Sequence, residues 1–410
     1  MDLPSFRAPS LSVRSTRIDH ISPLLDVVDR RNPLVFVRGG AGMAGIGEAI
    51  RLEFTGPTRM TDAADAWRAV AARASVDDEV GVPGSGLIAF GSFAFDDEST
   101  DTSVLIVPRI VLGRRDGVAW ITRVDGAETP AATPVGASVR LRLSDGALTA
   151  DGYADAVARA VEAIGRGEVS KVVLARDLVG RIPAEADLRL VAATLLTAYP
   201  DCYTFAVDGL IGASPETLVR TERGEVTARV LAGSAARGVD ATSDERAAHA
   251  LATSPKDLDE HSYALRSLLL SLGRHADGIV TAEQPFTLKL PNLWHLASDV
   301  RGRLTDGSSS LDLIASLHPT AAVAGTPTPE ALALIRELEP FDRGRYAGPV
   351  GWVGADGDGE WAIALRCAQV HPDGTVRAFA GAGVVVDSVP DREVAETRMK
   401  FQPVVGAFSQ

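Results

Sequence analysis

Only four of the 41 basic residues in this chain are lysine: Lys171, Lys256, Lys289 and Lys400. Arginine keeps its proton in proteins, whereas a buried lysine can be tuned toward neutral pH. A lysine retained against this background marks a place where a proton has to be given up. Lys171 opens the segment Lys171-Val-Val-Leu-Ala-Arg176, where strand alternation sets it on one face with Val173 and Ala175 and puts Arg176 on the other. Apolar neighbours disfavour its charged form and invite a lowered pKa; an edge-strand lysine facing water is the competing reading.

Two carboxylate pairs extend the set. The stretch from Pro390 to Lys400 reads as a helix started at Ser388, with Glu393, Glu396 and Lys400 on one face. Taken alone it is a solvated face with a Glu396–Lys400 pair worth about 0.3–0.5 kcal/mol. A second helix, from Ser254 to Leu272, carries Asp257 and Glu260 three residues apart, with Pro255 and Asp257 favourable in its first turn and His261 beside the pair. Brought together, the two pairs supply the hard oxygen ligands that suit Mg2+. His261 falls outside that donor set, as a neighbour or a surface residue.

The remaining candidates sit at ends of elements. Ile211-Gly-Ala-Ser-Pro-Glu216 reads as a turn in which Pro215 fixes the approach of Glu216 to the strand Thr217 to Thr221. Leu231-Ala-Gly-Ser234 reads as a strand end opening into a loop whose N–H groups can reach an anion. Arg366 ends the apolar strand from Trp361, where an unpaired charge is costly, so a carboxylate partner is expected from the protein or from a ligand. Gly381-Ala-Gly383 reads as a turn delivering the last helix.

Behind these residues stand the elements that must position them. Residues 1–145 read as scaffold: short strands at Pro33–Arg38, Gly86–Gly91, Ser103–Pro108, Val118–Thr122 and Ser138–Leu143, and a helix over Thr61–Ala74. Gly39 to Gly47 follows a strand but lacks the spacing of a dinucleotide loop. From 146 to 410 come a helix at Tyr153–Arg166, the Lys171 strand, and strands alternating with helices at Ser309–Leu317 and Pro329–Leu338. No linker composition separates the two parts, which points to one structural domain overall.

With 410 residues, 46% of them hydrophobic, the chain can bury a large core. A net charge of −13 excludes general binding to nucleic acid or an acidic membrane, so an anionic substrate needs local positive charge. Cys202 and Cys367 form no CxxC motif, which argues against a disulfide framework or structural zinc and for a reducing, cytoplasmic setting. The stretch Met1 to His20 has no continuous apolar run of the kind a signal peptide or span requires.

Taken in order, Lys171–Arg176, Gly212-Ala-Ser-Pro-Glu216, Leu231-Ala-Gly-Ser234, Ser254 to His261, His295-Leu296, His318-Pro-Thr320, Glu339 to Gly344, Tyr346 to Gly351, Gly381-Ala-Gly383 and Glu393 to Lys400 resemble the chorismate-utilising enzymes, and most closely isochorismate synthases. The resemblance covers about the last two-thirds of the chain. It implies an α/β (α+β) fold of two large, mostly antiparallel sheets packed together with helices outside, chorismate as substrate and Mg2+ as cofactor. It implies Lys171 as the base that activates water for attack at ring C2, and Glu216 as the acid that protonates the departing C4 hydroxyl. Glu260 and Glu396 would bind magnesium directly, with Asp257 and Glu393 holding metal-bound water. Arg366 and Tyr346 would grip the lactyl carboxylate, backbone near Gly233, Gly381 and Gly383 would line the site beside Lys400, and His295 would sit by the ring.

Ala322 stands where aminating relatives and salicylate synthases typically carry threonine, which favours the water-using branch. The resemblance further implies a monomer with no glutaminase subunit, working in menaquinone or siderophore biosynthesis. The competing readings are a salicylate synthase, an anthranilate or aminodeoxychorismate synthase, and a non-catalytic chorismate-binding homologue.

Overall fold

The computed structural model describes residues 8–19, 24–136 and 140–409. Among these, strands assemble into two large sheets, of 13 and 10 strands, with eight α-helices around them. The strand pairings are antiparallel except that of Ser12–Arg17 with Ser75–Asp78. One core joins the sheets, with Leu174 and Phe205 from the larger meeting Phe90 and Trp361 from the smaller. Another lies under the helices Arg189–Ala198 and Pro390–Phe408, where Leu195, Phe401 and Val404 cover Ile211 and Ala380. Each such large apolar side chain contributes about 1.5–3 kcal/mol by leaving water.

The first 145 residues are woven into both sheets. Strand Leu34–Arg38 pairs with Tyr203–Val207 in the larger, and Ile88–Ser92 pairs with Pro349–Gly354 in the smaller. Gly42 lies in the hairpin Leu34–Arg38/Ala41–Ile46, where an added Cβ would stand 2.2 Å from Phe36 O, so this glycine serves close backbone packing, while Gly39 and Gly40 make the turn at positive φ. The strand expected over Ser138–Leu143 lies partly outside the described residues; 140–143 is irregular, and the short strand Ser144–Asp145 follows.

Several local expectations change. Gly381-Ala-Gly383 is no turn but the interior of strand Thr375–Val384, paired with Ala175 to Val173. Leu231–Ser234 runs on inside strand Glu225–Ala236, with a bulge between Leu231 and Ser234 that Gly233 permits by its φ of +81°. Ile211–Ser214 belongs to the strand Leu210–Ser214. The strand from Trp361 ends at Ile363, so Arg366 stands beyond it, in the left-handed region at φ +50°. Helix Pro390–Phe408 is preceded by Val389 rather than capped by Ser388, whose Oγ accepts from Val385 N–H instead. The helices Arg189–Ala198 and Ala241–Ala252 had no counterpart in the sequence reading.

Two of the chain's passages between the sheets bear on the site. Pro215-Glu216 joins strand Leu210–Ser214 of the larger sheet to Thr217–Glu222 of the smaller, and Ala364-Leu365-Arg366 returns from Gly359–Ile363 to Cys367–Val370. The crossings lie side by side: Ile363 N–H donates to Glu216 O, and Ala213 N–H to Arg366 O, each at 3.2 Å.

Candidate active site

A cavity opens at these two crossings. Ten of the residues picked from the sequence line it: Glu216, Gly233, Glu260, His295, Ala322, Tyr346, Arg366, Gly381, Gly383 and Lys400. Lys171 lies directly behind this wall, fully buried, with Nζ 3.2 Å from Glu260 Oε1. Their geometry is not that of a hydrogen bond, and among the described residues Lys171 Nζ has no hydrogen-bond partner. A buried ammonium left in this way is costly and is a strong marker of function. Gly383 makes the approach possible, since a Cβ there would stand 2.1 Å from Glu260 Oε1 and 3.1 Å from Lys171 Cε.

The three lysines inside the motifs each face one of the chosen carboxylates. Lys171 meets Glu260, Lys256 meets Glu393 at 2.9 Å, and Lys400 meets Glu396 at 2.6 Å. Lys400 Nζ also donates to Gly381 O at 2.9 Å, tying the last helix to the cavity floor. Asp257, Glu393 and Glu396 stand behind the lining rather than in it. Burial and the nearby charge of Glu260 and Glu396 push the Asp257 carboxyl up, and burial with Glu396 pushes up Glu393. As placed, no three carboxylate or imidazole groups among the described residues converge on one point. The donor set itself, four carboxylates from two helices with mutual repulsion to relieve, fits a hard divalent cation. His261 is neither surface nor part of that set: it is buried and turned toward Ser298 Oγ at 2.8 Å and Ala232 O at 3.3 Å.

Opposite Lys171's wall, burial holds the Glu216 carboxyl up at about 8, overcoming the opposing pull of Lys171, the Leu231 N–H, Arg366 and Lys400. Glu216 is therefore a protonated acid at neutral pH. Arg366 is buried with no carboxylate in ion-pair distance among the described residues, and its Nη2 donates to His295 Nε2 at 2.9 Å. Because Nε2 accepts, the His295 proton sits on Nδ1, which faces Gly233 O at 3.2 Å and Ser234 Oγ at 3.0 Å. Burial and the charges of Arg366 and Lys400 keep that imidazole neutral. The carboxylate that Arg366 was expected to need is thus left to a ligand.

Of the lining residues with polar or aromatic side chains, Ser234, Arg343 and Phe379 were not picked as site residues from sequence. The Phe379 ring stacks on Tyr346 at 5.1 Å between centroids and 14° between planes. Its signal was the strand period, since Phe379, Gly381 and Gly383 fall on one face.

A sequence family described as chorismate binding enzyme matches residues 8–125 and 128–409. Isochorismate synthase DhbC of Bacillus subtilis is 38% identical over 268 residues, covering 62% of this chain and 67% of that protein. MenF of Mycobacterium tuberculosis is 34% identical over 340 residues, covering 79% and 87%. Among solved structures, DhbC from Bacillus anthracis superposes with a TM-score of 0.78 at 31% identity, covering 94% of this chain and 98% of that one.

Proposed function

The chain belongs to the chorismate binding enzymes, and from that premise we propose that it is a magnesium-dependent isochorismate synthase, an isomerase that moves a hydroxyl group around the ring of chorismate. The observation that carries the reading is the pairing of opposites around one cavity: a fully buried lysine with no hydrogen-bond partner and a carboxyl protonated up to about pH 8. The acid is in the state its task requires before substrate arrives.

In this reading water forms a bond to C2 while the C4–O bond breaks and the ring double bonds shift between them. Lys171 takes a proton from the attacking water, a task that requires its neutral form. Glu216 gives its proton to the departing hydroxyl, which leaves as water. One water enters and one leaves, so atoms balance and nothing is oxidised or reduced. Arg366, held in plane by neutral His295, offers its remaining donors to the lactyl carboxylate, with the Tyr346 hydroxyl beside it. Glu260 and Glu396 would hold Mg2+ with Asp257 and Glu393 behind them, supplying positive charge for the ring carboxylate and for charge that builds on the conjugated system. Ala322 leaves the wall near Glu216 apolar, without a hydroxyl to hold an amine nucleophile.

Purified protein incubated with chorismate and Mg2+, with and without ammonium, and resolved by liquid chromatography tests the reading. Isochorismate is the expected product in both. Salicylate, anthranilate or aminodeoxychorismate as main product overturns it, as does recovery of unchanged chorismate.

A further inference from the structure

The motif Glu339-Pro-Phe-Asp-Arg343 has no part in the chemistry above, yet two of its three charged residues, Glu339 and Arg343, are almost fully buried against the Lys171 strand. That strand, Lys171–Arg181, pairs along one edge with Thr375–Val384 over its whole length. Its other edge is covered only in pieces. Gly325–Thr326 pairs with Val172 and Lys171, with Val173 N–H donating to Ala324 O at 2.8 Å. Ser144–Asp145 pairs with Val179 and Leu178, and Gly146 N–H reaches Asp177 O at 3.0 Å. Between these patches no strand runs among the described residues, and without the side chains of this motif Val173 O and Ala175 N–H would be buried unpartnered, at about 1–3 kcal/mol each.

Side chains fill that gap in the ladder. Arg343 Nη2 donates to Val173 O at 2.6 Å, and Glu339 Oε1 accepts from Ala175 N–H at 2.7 Å. The two are locked together, Arg343 Nε meeting Glu339 Oε2 at 2.8 Å, and the guanidinium lies over the Phe95 ring at 4.5 Å. The remaining Arg343 nitrogen, Nη1, donates to Val323 O at 3.0 Å, in the loop that carries Ala322. One guanidinium therefore fixes the strand that presents Lys171 and the loop that brings Ala322 to the cavity wall.

We propose that Glu339 and Arg343 are positioning residues that act as a surrogate strand, closing the gap in the sheet beside Val173 and Ala175 and so setting Lys171 and the Ala322 loop against the cavity. Substrate grip falls to Arg366 and Tyr346: Arg343 lines the same cavity, but each of its three guanidinium nitrogens is engaged, by Glu339, Val323 O or Val173 O. Loosening the brace displaces the base while leaving substrate affinity in place, a split that general loss of stability does not produce.

This inference rests on the proposed function for its kinetic arm only, so the test has two arms on the full chain. Arg343→Lys keeps the charge but cannot serve three acceptors in one plane, and Glu339→Gln keeps an acceptor for Ala175 N–H but loses the charged partner. Arg189→Lys, a buried arginine remote from the cavity that is bonded to Asp187, Leu25 O and Thr133 O, is the control for destabilisation. Amide hydrogen exchange in the peptide 171–177, free of any assumption about the reaction, should quicken about tenfold or more in Arg343→Lys and remain at the parent rate in Arg189→Lys. With chorismate and Mg2+, Arg343→Lys should lower kcat at least about tenfold with KM within threefold of the parent, and Glu339→Gln should fall between the two. Unchanged exchange at 171–177 overturns the brace. Altered exchange with parental kcat overturns its positioning role. A parent inactive on chorismate overturns the functional reading and leaves the exchange arm to decide the brace.

Discussion

The cavity at the sheet crossings and the wider cleft between the two sheets balance charge in opposite ways. The cleft is lined by five arginines and five carboxylates. Three of those arginines are answered by carboxylates, Arg115 by Glu360 at 3.0 Å, Arg229 by Asp299 at 2.6 Å and Arg220 by Glu222, and Arg38 lies over the Tyr203 ring at 4.6 Å. The cavity holds Arg366 without a carboxylate and Glu216 kept protonated by burial. Unanswered charge distinguishes the two. A fold that leaves a buried cation unpaired forgoes stability there, and a ligand can return it.

Substitutions in each place sharpen or break that contrast. The largest effect belongs to Lys171→Met, which should lower kcat by about 10²–10⁴-fold while the protein still melts cooperatively; parental turnover would remove Lys171 from the reaction. Next, Arg366→Met should lower kcat/KM about a hundredfold or more through lost carboxylate binding, with the melting temperature little changed. Its counterpart in the cleft, Arg115→Met, should do the reverse, costing about 3–5 kcal/mol by leaving Glu360 buried and unpaired, with kcat retained. If steady-state kinetics and thermal melts show both variants failing in the same way, the contrast is wrong.

The third effect depends on pH. Because the folded Glu216 pKa is raised from 4.5 to about 8, the folded chain holds a proton that the unfolded chain has released between those values. Stability from this group therefore falls as pH rises through that window, by up to about 1.4 kcal/mol per unit, and levels off above it. Melting curves from pH 5 to 8 should show that slope in the parent and its loss in Glu216→Gln, and kcat of the parent should decline as pH passes about 8. Smallest of all, Arg220→Gln, a half-exposed cleft pair, should cost less than about 1 kcal/mol and leave kcat at the parent level.

Much of the site could be read from the sequence because its chemistry leaves few residue choices. A scarce lysine, a glutamate fixed by the preceding proline and two carboxylate pairs at helical spacing are local signals, and each of those side chains comes to or beside the cavity. What failed was local in appearance and non-local in cause. Gly381 and Gly383 look like a turn because glycine commonly makes one, but here they admit Leu174 O and the Glu260 carboxylate, neither of which is near in sequence. Leu231–Ser234 looks like a strand end because a bulge hides the continuing register. Helix Ala241–Ala252 was legible in its Asp240/Ser243 capping box and was passed over. Which strand of the first third joins which sheet depends on tertiary packing that period-2 patterns cannot encode.

The side-by-side crossings at Glu216 and Arg366 carry one more consequence. Strands within a sheet are spaced by their hydrogen bonds, but a residue on a passage between sheets is located by how far apart the sheets stand and how they slide. Glu216 and Arg366 are thus hung from the gap between two layers, and the core that fills the gap acts as the spacer of the cavity. Bulk added or removed around Trp361 or Phe205, well away from any reacting atom, would be felt there as a change in reach.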